Sequence, residues 1–187
     1  MASILPFDEL NMFSERIRAR FPENIIPFLT PEEEEDIIDE MLDLFLLAYA
    51  SGNIVTNENL GAEWQPTLED VDNVVNEEVA GKTWKDRVRD YFLNGGTGDD
   101  LIRIAETETH RIANESALKT AREDGARFKT WQTMLDDRVR ETHDYLEGVT
   151  VEIGEDFYTF DGDHASAPGR FALAENNVNC RCELVFS

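Results

Sequence analysis

Four short motifs follow one another in the C-terminal third of the chain: KTW at residues 129–131, DRVRETH at 137–143, LEG at 146–148 and NCRC at 179–182. The residues around them depart from the helical spacing of the preceding chain. They form short runs rich in β-branched and aromatic side chains, which are typical of strands. This part of the chain therefore determines the fold class, because it adds a sheet to an otherwise helical pattern.

The elements predicted around these motifs are strands and one helix. The helix begins at Asp136 or Asp137, either of which can cap it, and continues through Leu146, with Gly148 just beyond its end. Asp161-Gly162 indicates a turn, and residues 164–169 are predicted to form a loop. The strands are predicted at residues 127–134, 149–153, 157–160 and 183–186.

The preceding chain has the pattern of successive helices. Thr30 with Glu33, and Thr67 with Asp70, form capping boxes that predict helix starts, and residues 51–53 are predicted to end the first of these helices. Helices are predicted at residues 13–21, 31–50, 67–79, 83–93 and 99–123. The predicted fold is α+β: a helical N-terminal region, residues 1–80, is followed by a small mixed domain, residues 81–187, with a mainly antiparallel sheet.

The chain is strongly acidic, with a formal net charge of -23, and most of the excess acid lies in residues 1–100. The negative electrostatic potential of such a chain repels nucleic acid phosphates, which argues against direct nucleic acid binding by the isolated chain. The same potential suits docking on a basic protein surface. The two cysteines exclude a disulfide-rich scaffold. The longest apolar run, residues 44–50, is too short to span a bilayer, and no signal peptide is readable. We therefore expect a soluble protein in the cytoplasm of its producing cell, without a membrane partner.

Glu108 lies within the apolar stripe of the helix predicted at residues 99–123. A buried carboxylate needs a partner, and Arg138 and Arg140 are the expected partners because a guanidinium can bind both carboxylate oxygens. Two interpretations stay open: a buried ion pair that fastens the helix to the sheet, and an active-site acid. His110 lies about opposite the apolar stripe and is expected to be solvated.

His143, His164, Cys180 and Cys182 are the candidate metal ligands, because two imidazoles and two thiolates can form a tetrahedral zinc site. The alternative is that both cysteines are small buried side chains and that His143 caps its own helix. A third interpretation makes one of the cysteines a nucleophile that a histidine activates, with Arg181 favouring the thiolate. No flanking motif of a cysteine hydrolase accompanies them.

Taken together, the four motifs resemble those of the Mu F-like minor head proteins of tailed bacteriophages. The resemblance extends from about Gly81 to Leu184 and includes GKTWKDR at residues 81–87 and the Thr107-Glu108 pair. Proteins of that family are minor capsid components that associate with the portal during head morphogenesis. The resemblance implies a phage minor head protein inside the head of the virion, assembled in the cytoplasm of the bacterial host. It also implies the portal protein and the inner capsid or scaffold proteins as partners, and ejection with the DNA as a further step.

The resemblance further implies a structural module without catalytic residues or a required cofactor, for which the acidic region 1–80 serves as the adaptor to the portal or inner capsid. The alternatives are a small nuclease, a transferase related to toxin effectors, and an acidic mimic of nucleic acid. A nuclease would need a basic substrate surface, whereas a mimic would compete with DNA for a basic site. The residues of the structural motif are Glu108, Trp131, Asp137, Arg138, Arg140, His143, Gly148, Cys180, Arg181 and Cys182.

Overall fold

The computed structural model describes residues 3–79 and 81–187, and it confirms the α+β fold. Helices dominate the chain up to residue 123, and short antiparallel strands alternate with loops after it. In chain order the elements are α1 (Phe7–Arg20), α2 (Pro31–Leu60), α3 (Leu68–Val75), α4 (Trp84–Asn94), α5 (Gly98–Glu123), β1 (Phe128–Gln132), α6 (Glu141–Asp144), β2 (Thr150–Glu152), β3 (Phe157–Tyr158), β4 (His164–Ala165), α7 (Ala174–Asn177) and β5 (Glu183–Phe186).

Helices α2, α3, α4 and α5 begin in the same way. In α2 the backbone N–H of Glu33 donates to the Thr30 hydroxyl, and the backbone N–H of Thr30 donates to the Glu33 carboxylate. These bonds satisfy N–H groups that a helix start leaves unpaired. The helix starts predicted at Thr30 and Thr67 are therefore confirmed. The other pairs with this geometry are Thr67 with Asp70, Thr83 with Asp86, and Thr97 with Asp100.

Helix α2 continues past residues 51–53, where its end was predicted, and that prediction is wrong. The helix extends to Leu60 and is followed by Gly61 at φ 67°. Gly52 faces α5, where an added Cβ atom would lie 2.3 Å from the carbonyl oxygen of Ala113. The glycine thus permits two long helices to approach closely, and this packing overrides its weak helix propensity.

Strand β1 lies in the centre of an antiparallel sheet with the order β2-β1-β5. Trp131 pairs with Leu184 of β5, and Thr130 pairs with Thr150 of β2. Strands β3 and β4 form a separate antiparallel pair on either side of the predicted turn at residues 161–162, which is confirmed. The four predicted strands are present: β5 has the predicted bounds, and β1, β2 and β3 are shorter than predicted.

The helix predicted from Asp136 or Asp137 to Leu146 is wrong, because only Glu141–Asp144 is helical. Leu135 has a φ of 53°, and the carboxylate of Asp136 binds the Arg181 guanidinium instead of capping a helix. Four smaller differences also occur. Helix α1 begins at Phe7 rather than at residue 13, α3 ends at Val75 rather than at residue 79, and β4 occupies part of the predicted loop, while α7 was not predicted.

Helix α5 contributes to two hydrophobic clusters. The first gathers side chains of α1, α2, α4 and α5, among them Phe13, Phe45 and Trp84. The second surrounds Trp131 and includes Leu118 of α5. Several polar residues of α5 are buried as a result. The predicted boundary between the two regions falls at residue 80, outside the described residues. No described helix combines the length and the apolar character that a membrane span requires.

Candidate metal centre

Three of the four predicted metal ligands, His143, Cys180 and Cys182, lie together. The Nδ1 atom of His143 is 3.6 Å from Sγ of Cys180 and 3.4 Å from Sγ of Cys182. The donor atoms of all three residues lie within 4.8 Å of one another. His143 is 2% exposed and each cysteine is 3% exposed, so the cluster is shielded from bulk solvent.

The course of the chain explains why both thiols face the imidazole. Residues 180–184 alternate between buried and partly buried positions, as in an extended segment, so Cys180 and Cys182 share one face and Arg181 occupies the other. The Arg181 guanidinium donates two hydrogen bonds of 2.7 Å to the carboxylate of Asp136. The NCRC motif therefore contacts residues 136–143 with both of its faces.

Aromatic rings pack against the imidazole of His143. Its centroid lies 5.4 Å from that of Trp131, with the rings nearly perpendicular, and 5.3 Å from that of Phe171. The side-chain amide of Asn114, on α5, donates to the carbonyl of Cys182 at 3.1 Å and so ties this segment to the long helix. Within the described residues, Nε2 of His143 has no hydrogen-bond partner. The polar contacts of the imidazole thus run through Nδ1.

The two thiols differ in acidity. A hydrogen bond with the Cys182 thiol, together with one to His143, holds the pKa of Cys180 well below its ordinary value. The same thiol–thiol bond and burial raise the pKa of Cys182, so the pair favours a single thiolate. Nearby, the Arg181 guanidinium lowers the pKa of Asp136 to about 2, which keeps this ion pair charged at neutral pH.

This arrangement suits cation binding better than nucleophilic catalysis. A cavity of about 10 Å³ borders the three donor side chains, which is roughly the space that one water molecule needs. A larger cleft of about 670 Å³ is lined by residues of α1 and α5 and by Arg138, Arg140 and Cys180. A nucleophilic cysteine must reach its substrate, and both thiols are buried.

The fourth predicted ligand, His164, lies outside the cluster. It belongs to β4, its side chain is 55% exposed, and its Nδ1 atom lies 2.8 Å from Oδ2 of Asp156. The pairing of β3 with β4 places the imidazole beside Tyr158, on which it stacks with a centroid distance of 5.3 Å. The structure therefore brings together one histidine and two cysteines.

The remaining motif residues of this region lie between β1 and β2. Asp137 and Arg138 are exposed, whereas Arg140 donates from Nη2 to the carbonyl of Val178 at 2.5 Å. Gly148 adopts a φ of 72°, a left-handed conformation that favours glycine, in the turn before β2. The Arg140 contact connects the residue before α6 with the residue after α7.

Glu108 is 2% exposed, and its carboxylate binds two arginines. Nε of Arg111 donates to Oε2 at 2.8 Å, and Nη2 of Arg87 donates to Oε1 at 2.5 Å. The predicted buried ion pair is confirmed, but the predicted partners Arg138 and Arg140 are wrong. Because Arg87 lies on α4 and Arg111 on α5, the pair joins two helices instead of a helix and the sheet.

His110 is buried, contrary to the prediction that it is solvated. Its ring packs edge to face with that of Phe7, at a centroid distance of 6.2 Å. Burial lowers the pKa of His110 to about 4, so the imidazole is neutral at pH 7. The prediction failed because α1 covers this part of α5 on the side away from its apolar stripe.

A second network, which no sequence pattern indicated, is centred on Glu77. Arg170 donates two hydrogen bonds to the Glu77 carboxylate, at 2.8 and 2.9 Å, and Arg111 donates a third at 3.3 Å. Lys129 was also missed: it is fully buried, and its Nζ atom donates to the carbonyl of Ser166 at 2.6 Å. The partners are 34 to 93 residues apart in the chain, so local spacing carries no signal for them.

Comparison with known proteins identifies relatives of the chain. The model of the family described as phage Mu protein F like protein matches residues 62–185. NAD(+)–arginine ADP-ribosyltransferase EFV of Enterococcus faecalis is 31% identical over 120 residues, which are 60% of this chain and 24% of that protein. Minor head protein GP7 of Bacillus phage SPP1 is 32% identical over 85 residues, which are 44% of this chain and 28% of that protein. The chain thus spans about a quarter of the length of each relative. No solved structure is significantly similar to it.

Proposed function

Because the chain belongs to the phage Mu protein F-like family, we propose that it is a minor head protein of a tailed bacteriophage or prophage and acts in head morphogenesis. The family match over residues 62–185, which contains all four C-terminal motifs, is the observation that carries this proposal. The likeness to minor head protein GP7 supports it. In this proposal the protein is assembled in the host cytoplasm and lies inside the head, next to the portal.

Internal contacts of the motif residues support a structural role for the C-terminal module, residues 81–187. Glu108 connects α4 with α5, Arg181 binds Asp136, and Arg140 binds a carbonyl next to α7. Each of these contacts joins separate parts of the chain, as ion-pair networks with a structural role do. The proposal therefore assigns these residues to the stability of the module.

The outer stripe of α2, here Asp36, Asp39, Asp43, Leu47 and Ile54, is the proposed contact with the portal. These residues follow helical spacing and are all exposed. The carboxylates occupy the first half of the stripe, and the two apolar side chains, 49% and 54% exposed, follow them. A portal surface that combines basic and apolar side chains would complement this stripe, because charge steers association and apolar burial stabilises the complex.

Quantitative mass spectrometry of purified heads tests the proposal. Heads are prepared from the phage or induced prophage that encodes the chain, with and without the portal protein. We expect a few copies of the chain in each head and its loss when the portal is absent. Absence from all particles would overturn the head role, and retention without the portal would overturn the portal contact. Loss from particles that have released their DNA would support ejection.

A matched pair of charge variants tests the outer stripe of α2. The variant Asp39→Lys/Asp43→Lys reverses charge within the stripe, and the control Glu123→Lys/Glu152→Lys makes the same change in net charge at exposed positions elsewhere. We expect the first variant to be missing from heads and the control to be incorporated normally, with both proteins melting near the wild-type temperature. Equal incorporation would count against this contact.

The likeness to an ADP-ribosyltransferase raises a second candidate function, the transfer of ADP-ribose from NAD+. The matched segment is only 24% of that relative. In this chain both oxygens of the buried Glu108 carboxylate are bound by arginines, which disfavours a role as general base. Mass spectrometry of an arginine-rich acceptor protein after incubation with NAD+ distinguishes the two functions. We expect no ADP-ribose adduct, and an adduct would establish the enzyme.

A further inference from the structure

The geometry of His143, Cys180 and Cys182 matches a tetrahedral metal site. In a zinc site with Zn–N and Zn–S bonds of about 2.0 and 2.3 Å, nitrogen and sulfur ligands lie about 3.5 Å apart. The two Nδ1–Sγ distances here are 3.6 Å and 3.4 Å. We propose that Nδ1 and the two Sγ atoms bind Zn²⁺, and that a water molecule completes the coordination.

The donor atoms select a soft divalent cation. Two thiolates and an imidazole suit zinc, whereas magnesium and calcium prefer oxygen ligands. Two thiolates also balance the charge of a divalent cation, so the occupied site is electrically neutral. This neutrality matters because Cys180 and Cys182 are each only 3% exposed. An uncompensated buried charge costs roughly several kcal/mol or more.

The small cavity beside the cluster is the proposed place of the fourth ligand. Its volume of about 10 Å³ is close to the space that one water molecule occupies. Among the described residues, the possible metal ligands that come together here are these three side chains, while His164 is bound to Asp156. A cavity of this size admits a water molecule but is far below the size of a substrate pocket. Cys180 also borders the cleft of about 670 Å³, but both cysteines are buried. The proposed role of the ion is therefore structural.

An ion at this position would connect parts of the chain that are distant in sequence. His143 belongs to α6, whereas the cysteines precede β5 and follow His143 by 37 and 39 residues. A cross-link that closes a loop of this length reduces the entropy of the unfolded chain, and metal binding adds directly to folding stability. The ion would also hold the imidazole against Trp131 and Phe171.

Metal analysis of the full-length protein is the first test. Protein purified without chelators is analysed by inductively coupled plasma mass spectrometry as wild type, Cys182→Ser, His143→Asn and the control His164→Asn. We expect about one equivalent of zinc in the wild type and the control, and its loss from the other two variants. Wild type that stays free of zinc after refolding with the ion, or Cys182→Ser that keeps it, would overturn the proposal.

A cobalt titration of the metal-free wild type makes the test independent of whether the variants fold. Tetrahedral Co²⁺ bound by thiolates gives sulfur-to-metal charge-transfer and d–d absorption bands, and Zn²⁺ should displace it and remove them. We also expect a chelator to lower the melting temperature of the zinc-loaded wild type. A titration without these bands would overturn the proposal. A thiol assay would then distinguish two free thiols, joined to His143 by hydrogen bonds, from a disulfide.

Discussion

The carboxylate of Glu108 and the guanidinium of Arg111, which lie one turn apart on α5, form an ion pair of 2.8 Å in which the two side chains are 2% and 1% exposed. Arg87 of α4 binds the other carboxylate oxygen, and Glu77 lies 3.3 Å from Arg111. These charges compensate one another away from solvent. Removal of one partner is therefore more damaging than at the surface, because the remaining charge stays buried.

The substitution Arg111→Met leaves Glu108 with Arg87 as its single charged partner. We expect the free energy of unfolding, measured by urea denaturation, to fall by about 3–5 kcal/mol. The double variant Glu108→Leu/Arg111→Met should lose less, because the carboxylate is then removed as well. A greater loss in the double variant would contradict this explanation. Arg16→Met is the matched control, since the Arg16–Glu40 pair is 2.9 Å long but 55% and 38% exposed; its effect should stay below about 1 kcal/mol.

The substitution Gly52→Ala tests the close approach of α2 and α5. Alanine is the better helix former, but its Cβ atom would lie 2.3 Å from the carbonyl oxygen of Ala113. We expect the free energy of unfolding to fall by about 1–3 kcal/mol, because the backbone must shift. Gly154→Ala is the control, since nothing lies within 4 Å of the added Cβ atom there. Equal melting temperatures for the wild type and both variants in thermal denaturation would argue against the close contact.

Two neighbouring arginines of the DRVRETH motif should respond differently to substitution. Arg140 donates to the carbonyl of Val178 at 2.5 Å, so Arg140→Gln should lower the free energy of unfolding by about 1.5–3 kcal/mol and reduce incorporation into heads with it. The Arg138 side chain is 73% exposed, and Arg138→Gln should change the stability by less than about 0.5 kcal/mol. If Arg138→Gln abolished incorporation at an unchanged melting temperature, Arg138 would belong to a contact surface instead.

The buried Lys129 makes the stability depend on pH in the alkaline range. Burial lowers the pKa of Lys129 from 10.5 to about 8, so between these values the unfolded chain binds a proton that the folded chain does not. Stability from this group therefore rises as the pH rises from about 8 to 10.5, by up to about 1.4 kcal/mol per pH unit. Urea denaturation of wild type and Lys129→Met should show this as a growing difference in favour of the wild type. Parallel pH profiles would contradict it.

The starts of α2 and α3 were predictable because the interactions that cause them are local. The Thr30 hydroxyl and the Glu33 carboxylate bond to backbone groups three residues away, and that distance can be read directly from the chain. The end of α2 was not predictable in this way. Gly52 and its neighbours have the composition of a helix end, but their conformation depends on Ala113 of α5, and no pattern near Gly52 indicates that contact.

The candidate metal site was also only partly predictable from the sequence. Residue types alone identified His143, Cys180 and Cys182 as possible ligands, and the i, i+2 spacing places both thiols on one face of an extended chain. His164 has the same chemistry, yet the pairing of β3 with β4 places it near Asp156 and away from the cluster. Selection among these four residues therefore required the arrangement of the strands.

The sequence by itself determined the α+β class, the capped starts of α2 and α3, the burial of Glu108 and the family, because each depends on residue types at short spacings. Only the tertiary structure decided that Arg87 and Arg111, and not Arg138 and Arg140, bind Glu108. The physical reason is that a carboxylate attracts any guanidinium. Which arginine reaches it is determined by the packing of α4 against α5, and this packing depends on the shapes of side chains that are far apart in the sequence.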